Sequence, residues 1–216
     1  MAKHPASRGF GPASEACPSG AALVANLQRR LQLLQSHPGA HPELEGFLDD
    51  SFNPALTSLV QWARNRYGQA GLSFEQNLAD EEWTLSPSDF GFHNALRRPG
   101  GRMVFLDFEY FGWDDPAKTV SDFLLHPAMN LTTQQKKAFA AGFARIAWRV
   151  QTLYPLYGLK WCLILLNEFL PEHLHRRKFA AFENFDRDAV LSAQLNKARE
   201  MLSRIHREFA AFPYLD

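Results

Sequence analysis

The sequence predicts an α+β domain that is mostly α-helical, with one small β-hairpin at its centre. Three observations lead there. Leu23, Leu27, Leu31 and Leu34 recur at intervals of four, four and three residues, which puts them on one face of a helix. Beyond Pro116 the chain runs in long helical segments, with breaks marked at Pro127, Pro155 and Pro171. Between these two parts, short apolar runs flank Pro99-Gly100-Gly101, a tight-turn signal for a hairpin.

The elements follow in order. Residues 1–20 hold Pro5, Gly9, Gly11, Pro12, Pro18 and Gly20 among small residues and read as an irregular leader to a domain spanning 21–216. A helix through the four leucines ends at His37-Pro38-Gly39. A short helix over 42–48 and a longer one over 54–67 come next, with Leu56, Leu59, Val60 and Trp62 as candidate buried positions. Thr84-Leu85 then leads into a loop rich in Ser, Pro and Gly, and 94–97 and 102–108 read as the hairpin strands. Further helices are expected near 117–125, 133–153, 157–169 and 186–209, with Thr132 or Thr133 capping the second. No internal repeat is visible.

At 216 residues the chain is long enough for one domain with a substantial core. Lys plus Arg and Asp plus Glu both number 23, so there is no basic excess of the kind that serves nucleic acid or a membrane surface, and neither partner is expected. Cys17 and Cys162 lie in a loop-like segment and an apolar run, a pattern that suggests neither a zinc site nor a disulfide framework. The longest apolar run, 161–166, is too short to span a bilayer. With no secretory leader in view, a cytoplasmic location is the expectation.

The chemistry concentrates in residues 86–115. Asp89 lies in the Ser/Pro/Gly loop, Asn94 follows five residues later, and Asp107 stands at the end of an apolar segment anchored by Phe105 and Leu106. An isolated Asp or Asn in such a loop is most often a turn former; the spaced trio is what singles these residues out. Phosphoryl transfer needs magnesium to neutralise phosphate charge, and a group that orients the attacking hydroxyl. Magnesium takes oxygen ligands, and a separate carboxylate nearby accepts the proton. An Asp and an Asn on neighbouring segments, with a further carboxylate beside them, supply those parts.

Two stretches carry a family resemblance. Ser88-Asp89-Phe90-Gly91-Phe92-His93-Asn94-Ala95-Leu96 resembles the catalytic loop of the aminoglycoside phosphotransferase and choline kinase superfamily. Phe105-Leu106-Asp107-Phe108-Glu109-Tyr110-Phe111-Gly112-Trp113-Asp114-Asp115-Pro116 resembles that superfamily's metal-binding motif and the turn after it. The resemblance implies the carboxy-terminal lobe of a protein-kinase-like fold. It implies magnesium-dependent transfer of the γ-phosphoryl group of ATP or GTP to a hydroxyl of a small polar molecule. Carried over by position, Asp89 is the catalytic base, Asn94 and Asp107 are the magnesium ligands, and Asp122 is a structural hydrogen-bonding partner. Glu109 either serves a second metal or hydrogen-bonds the loop, and His93 either holds the loop or touches substrate.

The departures are specific. Pro87 stands where the family usually has His, two residues before the catalytic Asp. Gly9-Phe10-Gly11 is an isolated fragment of a glycine-rich loop, and no nucleotide-clamping lobe is visible upstream. The expected partners are therefore the small hydroxyl acceptor and either the missing amino-terminal lobe or another protein. The alternative function is a non-catalytic, truncated kinase-like scaffold that binds a partner. A phosphoesterase built on Asp89 and Asp107 lacks a further His or Asp cluster for a second metal. Trp113 lines an acceptor pocket or packs under the loop, Trp148 and Trp161 are assigned to the core, and His173 and His175 to the surface.

Overall fold

The computed structural model describes residues 9–36, 39–180 and 185–215. Helix α1 (Gly20–Leu34) begins where the Ser19 hydroxyl accepts a hydrogen bond from the Ala22 N–H, satisfying one of the free donors of the first turn. Its four periodic leucines are buried. Helices α2 (Pro42–Phe47) and α3 (Asn53–Gln69) were expected as separate segments, but a π turn at Leu48–Phe52 joins them. There the Asn53 N–H reaches back to the Leu48 carbonyl. The wide turn accommodates Pro54, whose missing N–H would interrupt a regular α ladder. Leu59 is buried, while Leu56, Val60 and Trp62 are half-buried against the core.

The centre holds four short strands, β1 (Thr84–Ser86), β2 (Ala95–Arg97), β3 (Met103–Phe105) and β4 (Gly112–Asp114). The expected hairpin is β2–β3, pairing Ala95 with Phe105 and Arg97 with Met103. Gly100 and Gly101 take the turn at φ of 89° and 85°, a region that costs glycine little. A second antiparallel pair, β1–β4, was not foreseen; it closes the base of the loop around the hairpin, with Leu85 opposite Trp113. Of the leader, residues 1–8 lie outside the described residues, and 11–16 are hydrogen-bonded in place. Trp113 N–H donates to the Gly11 carbonyl and Ala13 N–H to the Trp113 carbonyl, both at 2.9 Å. Gly112 allows this approach, because a Cβ there would sit 2.5 Å from the Ala13 nitrogen.

Helix α4 (Pro116–Leu125) starts at Asp115, whose Oδ1 accepts from the Ala117 N–H at 2.8 Å. Helix α5 (Thr133–Ala141) opens on a capping box between Thr132 and Gln135. The expected helix over 133–153 does not exist as one piece. It breaks at Gly142 and a 3-10 turn, and α6 (Ala147–Leu165) runs on through Pro155, where a break had been expected. Burial decides the matter. An interior proline costs about 3 kcal/mol, but α6 is apolar almost all round and packs on α1, α3, α4 and α8 (Arg187–Glu208). It buries Leu153, Tyr154, Leu156, Tyr157, Leu159 and Leu163 completely, each large apolar side chain worth about 1.5–3 kcal/mol. Gly158 lets α8 approach; a Cβ there would meet Ile205 at 2.5 Å. Helix α7 (Pro171–Ala180) lies between α6 and α8 in sequence and starts at the proline that was expected to end a segment. No helix among the described residues is long and apolar enough to cross a membrane.

Candidate active site

Strand β1 ends at the buried Ser86, whose hydroxyl accepts from Ser88 N–H at 3.1 Å and from the Thr119 hydroxyl at 3.0 Å. Ser88 is thereby held at a φ of 62°, a left-handed conformation that costs a non-glycine residue about 1–3 kcal/mol and often marks a functional loop. Asp89 comes next. Its Oδ2 accepts from Asn94 Nδ2 at 3.1 Å, and the same amide group donates to the Asp89 carbonyl at 3.0 Å. Its Oδ1 accepts from His93 Nε2 at 2.9 Å, and His126 Nε2 lies 3.5 Å away.

The two imidazoles stack with centroids 4.0 Å apart and planes 15° apart. Ala128 N–H donates to His126 Nδ1 at 3.1 Å, so in the neutral ring the proton sits on Nε2 and faces Asp89. Hydrogen bonding from His126, and then from His93, outweighs desolvation and holds the Asp89 carboxyl well below the usual carboxylate range.

Asp89, His93 and His126 present potential ligand atoms within 4.8 Å of one another. The arrangement is nonetheless a proton-donating clamp rather than a transition-metal site. A metal bound by both Nε2 atoms would have to lie in both ring planes, and stacked, nearly parallel planes do not meet there. The His126 lone pair at Nδ1 is also already engaged.

The oxygen donors suited to a hard cation are elsewhere in the loop. With its Nδ2 engaged by Asp89, Asn94 keeps Oδ1 as an acceptor. Leu106 N–H donates to the Asn94 carbonyl at 2.8 Å, which places Asp107 one residue beyond that bond. Asp107 is exposed and has a φ of 61°. Asp89, His93 and Asn94 thus share direct contacts, while Asp107 stands across the β2–β3 junction from them. Glu109 hydrogen-bonds the Tyr110 phenol and raises its pKa, with weaker contributions from the charges of Asp107 and Asp89.

Behind the loop, Lys118 is buried between Asp114 at 3.0 Å and Asp122 at 3.3 Å, and it donates to the Ser88 hydroxyl at 3.3 Å. Burial opposes its charge, but Asp122 and Asp114 outweigh that and push its pKa up. Asp122 also accepts from Trp161 Nε1 at 3.0 Å, a structural position. Beside Asp89 opens a cavity of about 480 Å³, with Tyr110, His126, Trp161 and His173 among its walls and Glu15, Arg30 and Lys160 together in its lining.

Several of these residues escaped sequence reasoning. Trp161 packs against the core as assigned but also lines the cavity, His173, assigned to the surface, lines it too, and His126 carries no motif. Lys160 did leave a signal, as a lone cation inside an apolar run. Trp113, left open between pocket and packing, is not among the cavity's lining residues; it sits half-buried in β4.

Among solved structures the chain is similar to ethanolamine kinase of Plasmodium vivax, with a TM-score of 0.51 and 12% identity over 85% of this chain and 50% of that one. It is also similar to choline kinase LicA of Streptococcus pneumoniae, with a TM-score of 0.47 and 16% identity over 87% of this chain and 59% of that one. The chain therefore spans about half the length of the first and somewhat more of the second. No family model and no curated protein sequence matches it. The fold is that of a kinase-like carboxy-terminal lobe, mostly helical with small antiparallel strand pairs.

Proposed function

We propose that this chain is the catalytic and acceptor-binding lobe of a small-molecule phosphotransferase. It would pass the γ-phosphoryl group of ATP or GTP to a hydroxyl of a small polar molecule, in the cytoplasm. The observation that carries the reading is the locked pair of Asp89 and Asn94, joined at 3.1 Å beside an open cavity, with the amide oxygen of Asn94 unspent. Asp89 would orient the acceptor hydroxyl. A carboxylate held this far below its ordinary range is a poor base in the ground state, so it takes the proton late, as charge leaves the attacking oxygen. Asn94 and Asp107 would hold magnesium, which when bound neutralises phosphate charge. Clamping the nucleotide needs a further lobe; among the described residues there is no strand-rich one, and it would come from another segment or a partner.

The test is phosphotransfer to a panel of small alcohols with a nucleotide-clamping lobe supplied in trans. Asp89→Asn should lower the rate about 10²–10⁴-fold; full activity in that variant would refute the base assignment. A second reading, a non-catalytic scaffold, draws on one observation. Phe92, Leu96, Met103, Leu106 and Phe108 are all 40% exposed or more in and around the hairpin, an apolar surface of the kind that partners cover. Wild-type inactivity together with a stable complex through this surface would favour it.

A further inference from the structure

The cavity beside Asp89 is unevenly charged. At one end Lys118 has two carboxylates, Asp114 and Asp122. At the other, Arg30 and Lys160 share a single one, which also pairs with Arg29 from outside the lining. Glu15 Oε2 lies 2.7 Å from Arg30 Nη2 and 3.1 Å from Lys160 Nζ, and Glu15 Oε1 lies 3.2 Å from Arg29 Nη2. Among the described residues none of these three cations has a second carboxylate within ion-pair reach. Lys160 is all but buried, its side chain 4% exposed, and Arg30 Nε is a buried donor with no hydrogen-bond partner. A purely structural ion pair is stable when charge and donors balance; here both are in excess.

Glu15 is also an unusual choice for its place in the chain. It is the third residue of the Ala13–Ala16 turn, closed by Ala16 N–H on the Ala13 carbonyl at 3.1 Å, and its φ is 55°. Glycine or asparagine is the ordinary residue at such a position. The ion pairs hold a strained residue with its carboxylate directed at the cations. Its side chain is 27% exposed, so solvent and solutes reach it.

From this we infer that the Arg30–Lys160 end of the cavity is a binding subsite for a compact oxyanion, a carboxylate or phosphate group on a small molecule, and that Glu15 is the chain's own occupant. A ligand displaces the Glu15 carboxylate and takes over its bonds to Arg30 and Lys160, with Arg30 Nε as an additional donor. As a statement about the acceptor, namely that it carries an anionic group as well as a hydroxyl, this rests on the phosphotransfer reading. As a binding site it does not.

The experiment is calorimetric titration of the full chain at low salt, without nucleotide or magnesium, using inorganic phosphate and malonate as separate probes. Glu15→Ala should bind at least one probe about tenfold or more tightly than wild type, because a tethered competitor acting at millimolar effective concentration has been removed. The preferred probe identifies the anionic group. Adding Lys160→Met should abolish the gain. The inference is overturned if Glu15→Ala binds neither probe more tightly, or if the gain survives loss of Lys160. Circular dichroism checks folding; Glu15→Gln and Arg30→Gln replace any variant that fails to fold. Because no nucleotide is present, failure here leaves the phosphotransfer reading standing, and failure of the Asp89→Asn test leaves this one standing.

Discussion

Arg149 donates from both Nε and Nη2 to the same oxygen of Asp115, Oδ2, at 2.8 and 2.6 Å. The Asp115 side chain is fully buried, and its other oxygen caps α4. The pair therefore fixes the start of α4, and with it Lys118 and Asp122, against the central helix α6. Arg149 also donates to the Tyr67 hydroxyl at 2.9 Å, bringing in α3. Removing one member of a buried ion pair strands the other. Arg149→Met should cost about 3–5 kcal/mol, read as a lower denaturant midpoint. Adding Asp115→Asn, which keeps an N-cap oxygen, should recover part of that loss.

The contact of α6 with α8 depends on the absence of a side chain at Gly158. Alanine is the better helix former by about 1 kcal/mol, so propensity alone would make Gly158→Ala stabilising. A Cβ there would meet Ile205 Cγ1 as well as its flexible end, both at 2.5 Å. Overpacking costs about 1–3 kcal/mol, and we expect net destabilisation. Relief by Gly158→Ala/Ile205→Val, compared by urea unfolding with Ile205→Val alone, would confirm the cause.

Stability should also fall in acid through Glu15. Burial would raise its pKa, but Lys160 and Arg30 lower it from an ordinary value of 4.5 to about 2. A carboxyl depressed in the folded state stabilises above its unfolded pKa, and that contribution drains away as pH falls through the folded one. The contribution is about 3 kcal/mol at neutral pH as an upper bound, present above roughly pH 4.5 and lost towards pH 2. Thermal midpoints of wild type and Glu15→Gln should differ at pH 7 and converge near pH 2. A gap independent of pH would contradict the charge argument.

Much of the fold was legible because its signals are local. Pro99-Gly100-Gly101 announces the β2–β3 turn, Thr132 caps α5, Pro116 follows the Asp115 cap of α4, and the leucine repeat marks the buried face of α1. What was missed depends on distant partners. The strands β1 and β4 are three residues each and pair across the whole segment that holds Asp89 and the hairpin, so neither shows a period. Pro155 stays helical only because neighbours on several sides bury it. The site divides the same way. Asp89 and Asn94 share a loop and a spacing, whereas the cations of the cavity come from α1 and α6 and meet Glu15 only through tertiary packing. His126 reaches Asp89 from the end of α4, a proximity that no sequence interval encodes.

On the proposed function, Asn94 and Asp107 would form a magnesium–nucleotide half-site on this lobe. The measurement is calorimetric titration of ATP with magnesium into the 216-residue chain with a nucleotide-clamping lobe supplied in trans, beside Asp107→Ala. Saturable binding that requires magnesium and disappears in the variant is expected. Binding unchanged by Asp107→Ala, or none by the wild-type chain even with that lobe present, would refute the half-site.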